Sequence, residues 1–190
     1  MTRPPFDPAT DEDIRIVSAQ LGRQARNVAG IAARCICGAP TVVATAPRLA
    51  DGTPFPTLYY LSHPAASAAI SHLEATQVMN EYNALLADDE DLRAQYRAAH
   101  ESFLADRNML GTVPEIDGIS SGGMPERVKC LHALAAHSLA AGPGVNPIGD
   151  LALARASWSP DVCVCRDYSD AAEDVAKTDP EKTLSSSDHE

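Results

Sequence analysis

The sequence predicts an α+β fold, a small antiparallel three-stranded sheet packed against several helices. Three strand-like runs follow one another closely, at residues 27–35, 41–47 and 57–63. The turns between them are short and rich in glycine and proline, which favours an antiparallel meander because parallel strands need long crossover connections. A three-stranded sheet needs a cover to be stable, and most of the remaining chain has helical periodicity.

Helices are predicted on both sides of the strands. The first covers residues 10–21, where Thr10 is the predicted N-cap, the first turn is acidic and Gly22 ends the helix. The later helices are predicted at residues 65–87 (one broken helix or two consecutive ones), at 90–107, in a segment that ends near residue 142, and at 150–157.

Charge and composition divide the chain into two parts. The 190 residues carry a net charge of −11, and residues 167–190 hold eight acidic residues and two lysines, which is −6 and leaves −5 for residues 1–166. Since 45% of the chain is hydrophobic, we predict one globular domain over residues 1–166. Residues 167–190 are acidic and poor in large apolar side chains, so we predict a disordered tail there.

The same composition argues against several partners and locations. A globular part with negative charge has no broad basic surface, so we expect no nucleic-acid binding. No apolar stretch approaches the roughly 20 residues of a membrane span, and no signal-peptide pattern opens the chain. We therefore expect a cytoplasmic protein without membrane insertion, in which the five cysteines are thiols.

The segment VKCLHALAAH, residues 128–137, concentrates metal ligands and nucleophiles. If it is helical, Cys130 and His137 share a face while His132 points away, so all three can bind one metal only if the helix begins after residue 132. Cys35, at the end of the first predicted strand, can supply another ligand. We therefore predict a metal site, with zinc as the cofactor, formed by Cys35, Cys130, His132 and His137.

Two other interpretations of this segment stay open. Cys130 can be a small buried apolar residue, with His137 a hydrogen-bonded residue of a packed helix. Alternatively, Cys130 is a reactive thiol, because Lys129 and a helix N-terminus both favour a thiolate. Lys129 is also the only lysine before residue 167. For a catalytic site, the residues that we predict are Lys129, Cys130 and His132.

Two further residues are candidate donors for the same site. His63 and Cys37 lie at strand ends, and alternation puts Cys37 on the face of Cys35 if the strand continues through both. The second Cys-x-Cys motif, at residues 163–165, indicates no function by itself.

The loop before residue 128 predicts an anion site. In SSGGMPERVKC, Gly122 and Gly123 precede a helix start, where backbone amides bind anions. Arg127 and Lys129 add positive charge. The loop matches neither a P-loop nor a dinucleotide-binding motif, and a flexible connector is the alternative interpretation.

Several segments resemble a bacterial family found in actinobacteria. They are QLGRQARNV, RC followed by GAPTVVATAPRLADGTPFPTLYYL, and GGMPERVKCLHALAAHSLAAGPGVNPIGD, and the resemblance covers residues 10–157. The family is domain-of-unknown-function family 501, which implies no established activity. Among the polar residues of the matching segments, we add Arg34 and Arg48 to the ligand-binding candidates.

These features predict a small-ligand-binding or enzymatic site between the sheet end and residues 123–137, with a small anionic molecule as the ligand. The alternative is a non-catalytic adaptor that binds a protein partner through its helices or its acidic tail. The family resemblance associates such an adaptor with cell division, because similar proteins are associated with the genes of enolase, a septum-formation initiator and an exopolyphosphatase.

Overall fold

The computed structural model describes residues 6–166 and confirms the α+β class. Both strand pairs are antiparallel and follow the chain order, as predicted for a meander. The middle strand is buried along its whole length, because helices cover both faces of the sheet. The strands are β1 (Val28–Arg34), β2 (Pro40–Thr45) and β3 (Tyr59–Leu61).

Six α-helices and one short 3-10 helix are present in the described residues. The helices begin at residues that suit the position, since Thr10 and Asp13 form a capping box before the first helix, and Asp89 and Asn146 cap two later ones. The helices are α1 (Asp11–Leu21), α2 (Pro64–Ala75), α3 (Val78–Asp88), α4 (Glu90–Asn108), α5 (Leu131–Ala141) and α6 (Pro147–Arg155), with the 3-10 helix at Pro114–Ile116.

The two faces of the sheet pack against different helices. Val43 of β2 joins Val17 of α1 and Ile31 of β1 in a small cluster on one face. Val42 and Ala44, which alternate with Val43, belong to the main core on the other face together with α2 to α6. α5 lies at the centre of that core and contacts β3, α2 and α6. The start of α5 is therefore placed beside the end of the sheet.

The segment at 65–87 forms two consecutive helices, one of the two predicted alternatives, and Gln77 between α2 and α3 adopts a left-handed conformation with φ +64°. Two other boundaries differ from the predicted ones. α5 begins at Leu131, with Cys130 as its N-cap, which excludes a start after residue 132. The last predicted helix, at 150–157, begins earlier, at Pro147.

α6 packs closely against α5, and this contact restricts which residue can occupy position 149. A Cβ atom at Gly149 would overlap the Leu134 carbonyl oxygen of α5, so only glycine allows this contact. The approach places Asn146, just before α6, against His137 of α5. α5 and α6 are therefore in close contact.

The predicted acidic tail, residues 167–190, lies outside the described residues, and the division into a domain and a tail stays a prediction. Among residues 6–166, no helix combines the length and the apolar character that crossing a bilayer requires.

Candidate functional site

Four cysteines from two distant parts of the chain come together at one end of the sheet. Cys35 and Cys37 follow β1, and Cys163 and Cys165 lie in the segment after α6. The four sulfur atoms lie within 4.8 Å of one another, and those of Cys37 and Cys165 are 3.4 Å apart. Since all four are free thiols, this cysteine cluster can hold a metal ion.

The turn after β1 brings the first two sulfurs to the same place. β1 ends at Arg34, and Gly38 then donates its N–H to the Cys35 carbonyl oxygen (2.8 Å) with φ +91°. Glycine is the residue that adopts this conformation readily. The reversal of the chain, rather than strand alternation, therefore places the exposed Cys37 beside the buried Cys35.

The segment that carries the other two sulfurs has little secondary structure of its own. Residues 159–166 form neither helix nor strand. The segment is attached by a hydrogen bond from the Ile36 N–H to the Pro160 carbonyl oxygen (3.1 Å), and by Trp158, whose ring lies 5.4 Å from that of His63. Thiol hydrogen bonds are weak, so an ion bound to the cysteine cluster would add most of the attachment at residues 163–165.

His63 contacts the cysteine cluster as a hydrogen-bond donor. Its Nδ1 accepts from the Ala66 N–H at the start of α2 (3.3 Å), so the proton of the neutral ring is on Nε2, which lies 3.2 Å from the Cys165 sulfur. Burial lowers the pKa of His63 and favours this neutral form. An N–H donated to a thiolate is an outer contact typical of metal sites, where it orients the ligand. His63 therefore supports the cluster from outside it.

The thiols of the cysteine cluster differ in acidity. A hydrogen bond from the Ala39 N–H, with a smaller effect from Cys165, lowers the pKa of Cys37 to about 7, although burial opposes the change. Burial raises the pKa of Cys165, and its hydrogen bond with Cys37 raises it further. A bound cation would reverse the effect at Cys165, because a coordinated thiol loses its proton.

A second group of donors lies between α2 and the start of α5. It consists of Glu74, Cys130 and His132, and one donor atom of each lies within 4.8 Å of the others. Glu74 Oε1 accepts a hydrogen bond from the Leu131 N–H (2.7 Å). The Glu74 carboxylate thus occupies the place at the N-terminus of α5 where a bound anion was expected.

Both ring nitrogens of His132 face acceptors. Nδ1 lies 3.2 Å from Glu74 Oε1, and Nε2 lies 3.1 Å from the Ser67 carbonyl oxygen. The hydrogen bond with Cys130 and the charge of Glu74 raise the pKa of His132 to about 9, although desolvation opposes the change. Without a bound metal, the ring is therefore a cation at neutral pH. This arrangement forms a thiol–imidazolium pair that Glu74 supports.

A cavity of about 380 Å³ opens beside this pair, between residues 55–61, α2 and the start of α5. Its size falls in the range of small-molecule sites. It is lined by Phe55, Tyr60, Leu61, Ser67, Cys130 and His132.

His137 lies in the core, away from both donor groups. Its ring stacks on Tyr59 at 5.7 Å and meets Phe103 edge-on at 5.5 Å. Asn146 accepts from the Gly149 N–H through Oδ1, so its Nδ2 donates to His137 Nδ1 (3.2 Å). With Nδ1 occupied and the residue fully buried, His137 cannot join a metal site with Cys130, although the two share a helical face. At His137 that face lies in the core, whereas Cys130 is partly exposed.

The predicted zinc ligands are therefore divided rather than brought together. Cys35 belongs to the cysteine cluster, Cys130 and His132 belong to the second group, and His137 belongs to neither.

Backbone hydrogen bonds from residues 127 and 129 close the turn at Gly122 and Gly123. The Gly122 carbonyl oxygen accepts from the Lys129 N–H (2.8 Å), and that of Gly123 accepts from the Arg127 N–H (3.0 Å). A side chain at Gly123 would overlap the Arg127 carbonyl oxygen. The two glycines thus fix the approach of residues 127–130 to α5, while the side chains of Arg127 and Lys129 are exposed.

The two other predicted ligand-binding arginines lie elsewhere and form ion pairs. Arg34 donates to Asp13 (2.6 Å), and this hydrogen bond lowers the pKa of Asp13 to about 2. Arg48 donates to Glu115 (2.8 Å). Neither arginine lines the cavity beside Cys130.

Members of both donor groups were not predicted from the sequence. Cys163 and Cys165 were assigned no function, although a second Cys-x-Cys motif in a chain that already contains one is a signal for a four-thiol site. Glu74 was predicted only as part of a helix. No spacing rule connects it with Cys130 and His132, which lie 56 and 58 positions later in the chain.

Comparison with known families gives one match. Residues 31–154 match the model of a family described as protein of unknown function (DUF501). The matched segment contains the first Cys-x-Cys motif and the second donor group, whereas Cys163 and Cys165 lie beyond it. No curated protein and no solved structure matches this chain.

Proposed function

This chain belongs to the DUF501 family, whose description assigns no activity, and we propose from its own residues that it is a zinc protein with a small-molecule site. Zinc bound to Cys35, Cys37, Cys163 and Cys165 stabilises one end of the sheet. The cavity beside Cys130 and His132 binds the small molecule. The single observation that carries the zinc proposal is the convergence of four free thiols on one point.

The ligand type and the spacing favour zinc. Thiolates are soft ligands, and a tetrahedral set of four sulfurs is characteristic of zinc or of iron–sulfur centres. Four sulfurs at about 2.3 Å from zinc in a tetrahedron lie about 3.8 Å apart. The observed separations, from 3.4 Å for one pair up to a limit of 4.8 Å, bracket that value.

The proposed role of zinc is structural. Four protein ligands leave no open coordination position for a substrate, which is the arrangement of closed structural sites. The ion would connect the turn after β1 to residues 163–165, which have few other contacts. Its effect is therefore expected mainly on the attachment of the segment that follows α6.

The proposed small-molecule site lies at the start of α5, as in the prediction from the sequence, but different residues surround it. Cys130 and His132 line the cavity, whereas the Gly122–Gly123 turn is closed and Arg34 and Arg48 form ion pairs elsewhere. A cytoplasmic location fits thiols that remain reduced. The adaptor role and its protein partner stay predictions.

Zinc content tests the first part of the proposal. We expect about one zinc per chain in untagged wild-type protein purified without a chelator and measured by elemental analysis. Cys163→Ser should lose the zinc, because it removes one of four ligands. Cys130→Ser is the matched control and should keep it, since Cys130 lies in the other group. Zinc lost from Cys130→Ser but kept by Cys163→Ser, or no zinc together with a disulfide between the two Cys-x-Cys motifs, would refute the assignment.

A further inference from the structure

We propose that Cys130 is the nucleophile of a thiol-dependent acyl-transfer site, which takes the acyl group of a small ester or thioester bound in the cavity beside it. The inference rests on the small-molecule half of the proposed function and is independent of the zinc centre.

The second donor group has the three components that activated thiols use. Cys130 is the nucleophile, His132 is the proton carrier within reach of it, and Glu74 contacts His132 Nδ1 at 3.2 Å and orients the ring. A nucleophile, a base and a third group that orients the base form the general pattern of covalent catalysis. The Ser67 carbonyl oxygen, 3.1 Å from His132 Nε2, fixes the ring from the other side.

The position of Cys130 in the fold suits a nucleophile. It is the N-cap of α5, and its side chain caps no backbone group, so the sulfur is available for attack. His132 lies beside it as a partner for proton transfer. Cys130 is also partly exposed and lines the cavity, unlike the buried Cys35.

The start of α5 also offers stabilisation for the transition state. The first N–H groups of a helix have no partner within the helix, and Glu74 satisfies only that of Leu131. A carbonyl carbon attacked by Cys130 at this helix end would place its developing oxyanion near the remaining amides. Electrostatic stabilisation of that kind is usually the largest contribution to acyl transfer.

The cavity selects the substrate class. Phe55, Tyr60 and Leu61 give it an apolar and aromatic wall, and the charges of His132 and Glu74 compensate each other. An acyl group with a short apolar or aromatic body therefore fits this cavity better than a multiply charged phosphate compound. The volume of about 380 Å³ restricts it to a small molecule.

The reaction balances with water as the only co-reactant. The Cys130 thiolate attacks the carbonyl carbon, the bond to the leaving oxygen or sulfur breaks, and the leaving group takes the proton of the His132 imidazolium. The product is an acyl thioester on Cys130 and a neutral His132. His132 then removes a proton from water, which attacks the thioester, releases the carboxylic acid and restores the thiolate–imidazolium pair.

The test uses the zinc-loaded full chain and p-nitrophenyl acetate as the probe. We expect a burst of about one equivalent of p-nitrophenol and one acetyl group, located on Cys130 by peptide mapping. The second-order rate should exceed that of glutathione by roughly 100-fold, the lower end of what a positioned acid–base group contributes. Cys130→Ser should abolish both the burst and the adduct.

Variants of His132 and Glu74 distinguish a catalytic role from a packing role. His132→Gln should lower the acylation rate by roughly 100-fold. His72 is an exposed histidine of α2, so His72→Gln should leave the rate unchanged. Because Glu74 helps to keep His132 protonated, Glu74→Gln should move the alkaline limb of the pH–rate profile to lower pH. A merely structural role for Glu74 would not shift that limb.

The wild-type result alone decides the proposal if a variant fails to fold. Another thiol that is acetylated as fast as Cys130 or faster, or a Cys130 rate equal to that of glutathione, would overturn it. Zinc is measured on the same samples, so failure of the zinc proposal would appear as missing metal and as acetylation of the cysteine cluster. Neither result affects whether Cys130 reacts first.

Discussion

Removal of zinc with a chelator is expected to lower the melting temperature of the wild-type protein by roughly 8–16 °C. A ligand present at about 1,000 times its dissociation constant stabilises the folded state by about 4 kcal/mol. In a protein of this size, each 1 kcal/mol shifts the melting temperature by roughly 2–4 °C. The main core contains none of the four cysteines, so we expect the chain to remain folded without zinc. Differential scanning calorimetry with and without chelator measures the shift.

Zinc removal should also have a local effect on residues 159–166, in addition to its effect on the melting temperature. Among the described residues, the backbone of 159–166 forms one hydrogen bond with the rest of the fold, from the Ile36 N–H to Pro160, so its amide hydrogens should exchange much faster after zinc removal, whereas those of α5 should change little. Cys163→Ser should melt at the temperature of the chelated protein and should not respond to chelator. Cys130→Ser should respond as the wild type does. A chelator response that disappears in Cys130→Ser instead would place the metal at the start of α5.

Acid should destabilise the wild-type protein between about pH 6.5 and pH 4 through His137. Desolvation lowers the pKa of this buried histidine to about 4 in the folded state, from an ordinary value of about 6.5 in the unfolded chain. Below pH 6.5 the unfolded chain therefore binds a proton that the folded protein does not. The free energy of unfolding falls across this window by roughly 3 kcal/mol.

His137→Gln isolates this contribution. Glutamine does not titrate and retains a group that can pair with Asn146. Between pH 6.5 and 4, the unfolding free energy of the His137→Gln variant should therefore fall by roughly 3 kcal/mol less than that of the wild type. Chelator in both samples removes the pH dependence of zinc binding. The pair of Asp13 and Arg34 acts at lower pH, because the pKa of Asp13 is about 2. Parallel pH curves from urea titrations of the two proteins would contradict the role of His137.

The meander and the helices could be predicted because their signals are local. Short glycine and proline turns identified three antiparallel strands, and Thr10 with the acids after it identified α1. A break within residues 65–87 was predicted, but its position at Gln77 was not predictable, because a left-handed conformation at a non-glycine residue depends on how α2 and α3 pack.

The donor groups were only partly predictable because they depend on contacts between distant parts of the chain. The sequence indicated Cys35 as a metal ligand and Cys130 with His132 as a reactive pair, yet the four sulfurs meet across 128 residues of chain. His137 shows the limit of helical spacing, which places it on the face of Cys130 but does not tell that His137 itself is buried in the core.

X-ray absorption at the zinc edge, on protein purified without chelator, tests the central claim most directly. The zinc assignment predicts four sulfur ligands at about 2.3 Å and no nitrogen or oxygen ligand. A nitrogen ligand at about 2.0 Å in place of one sulfur would make His63 a ligand rather than a donor to Cys165. A mixed set of one sulfur with nitrogen and oxygen would contradict the account, because it would assign the metal to Glu74, Cys130 and His132.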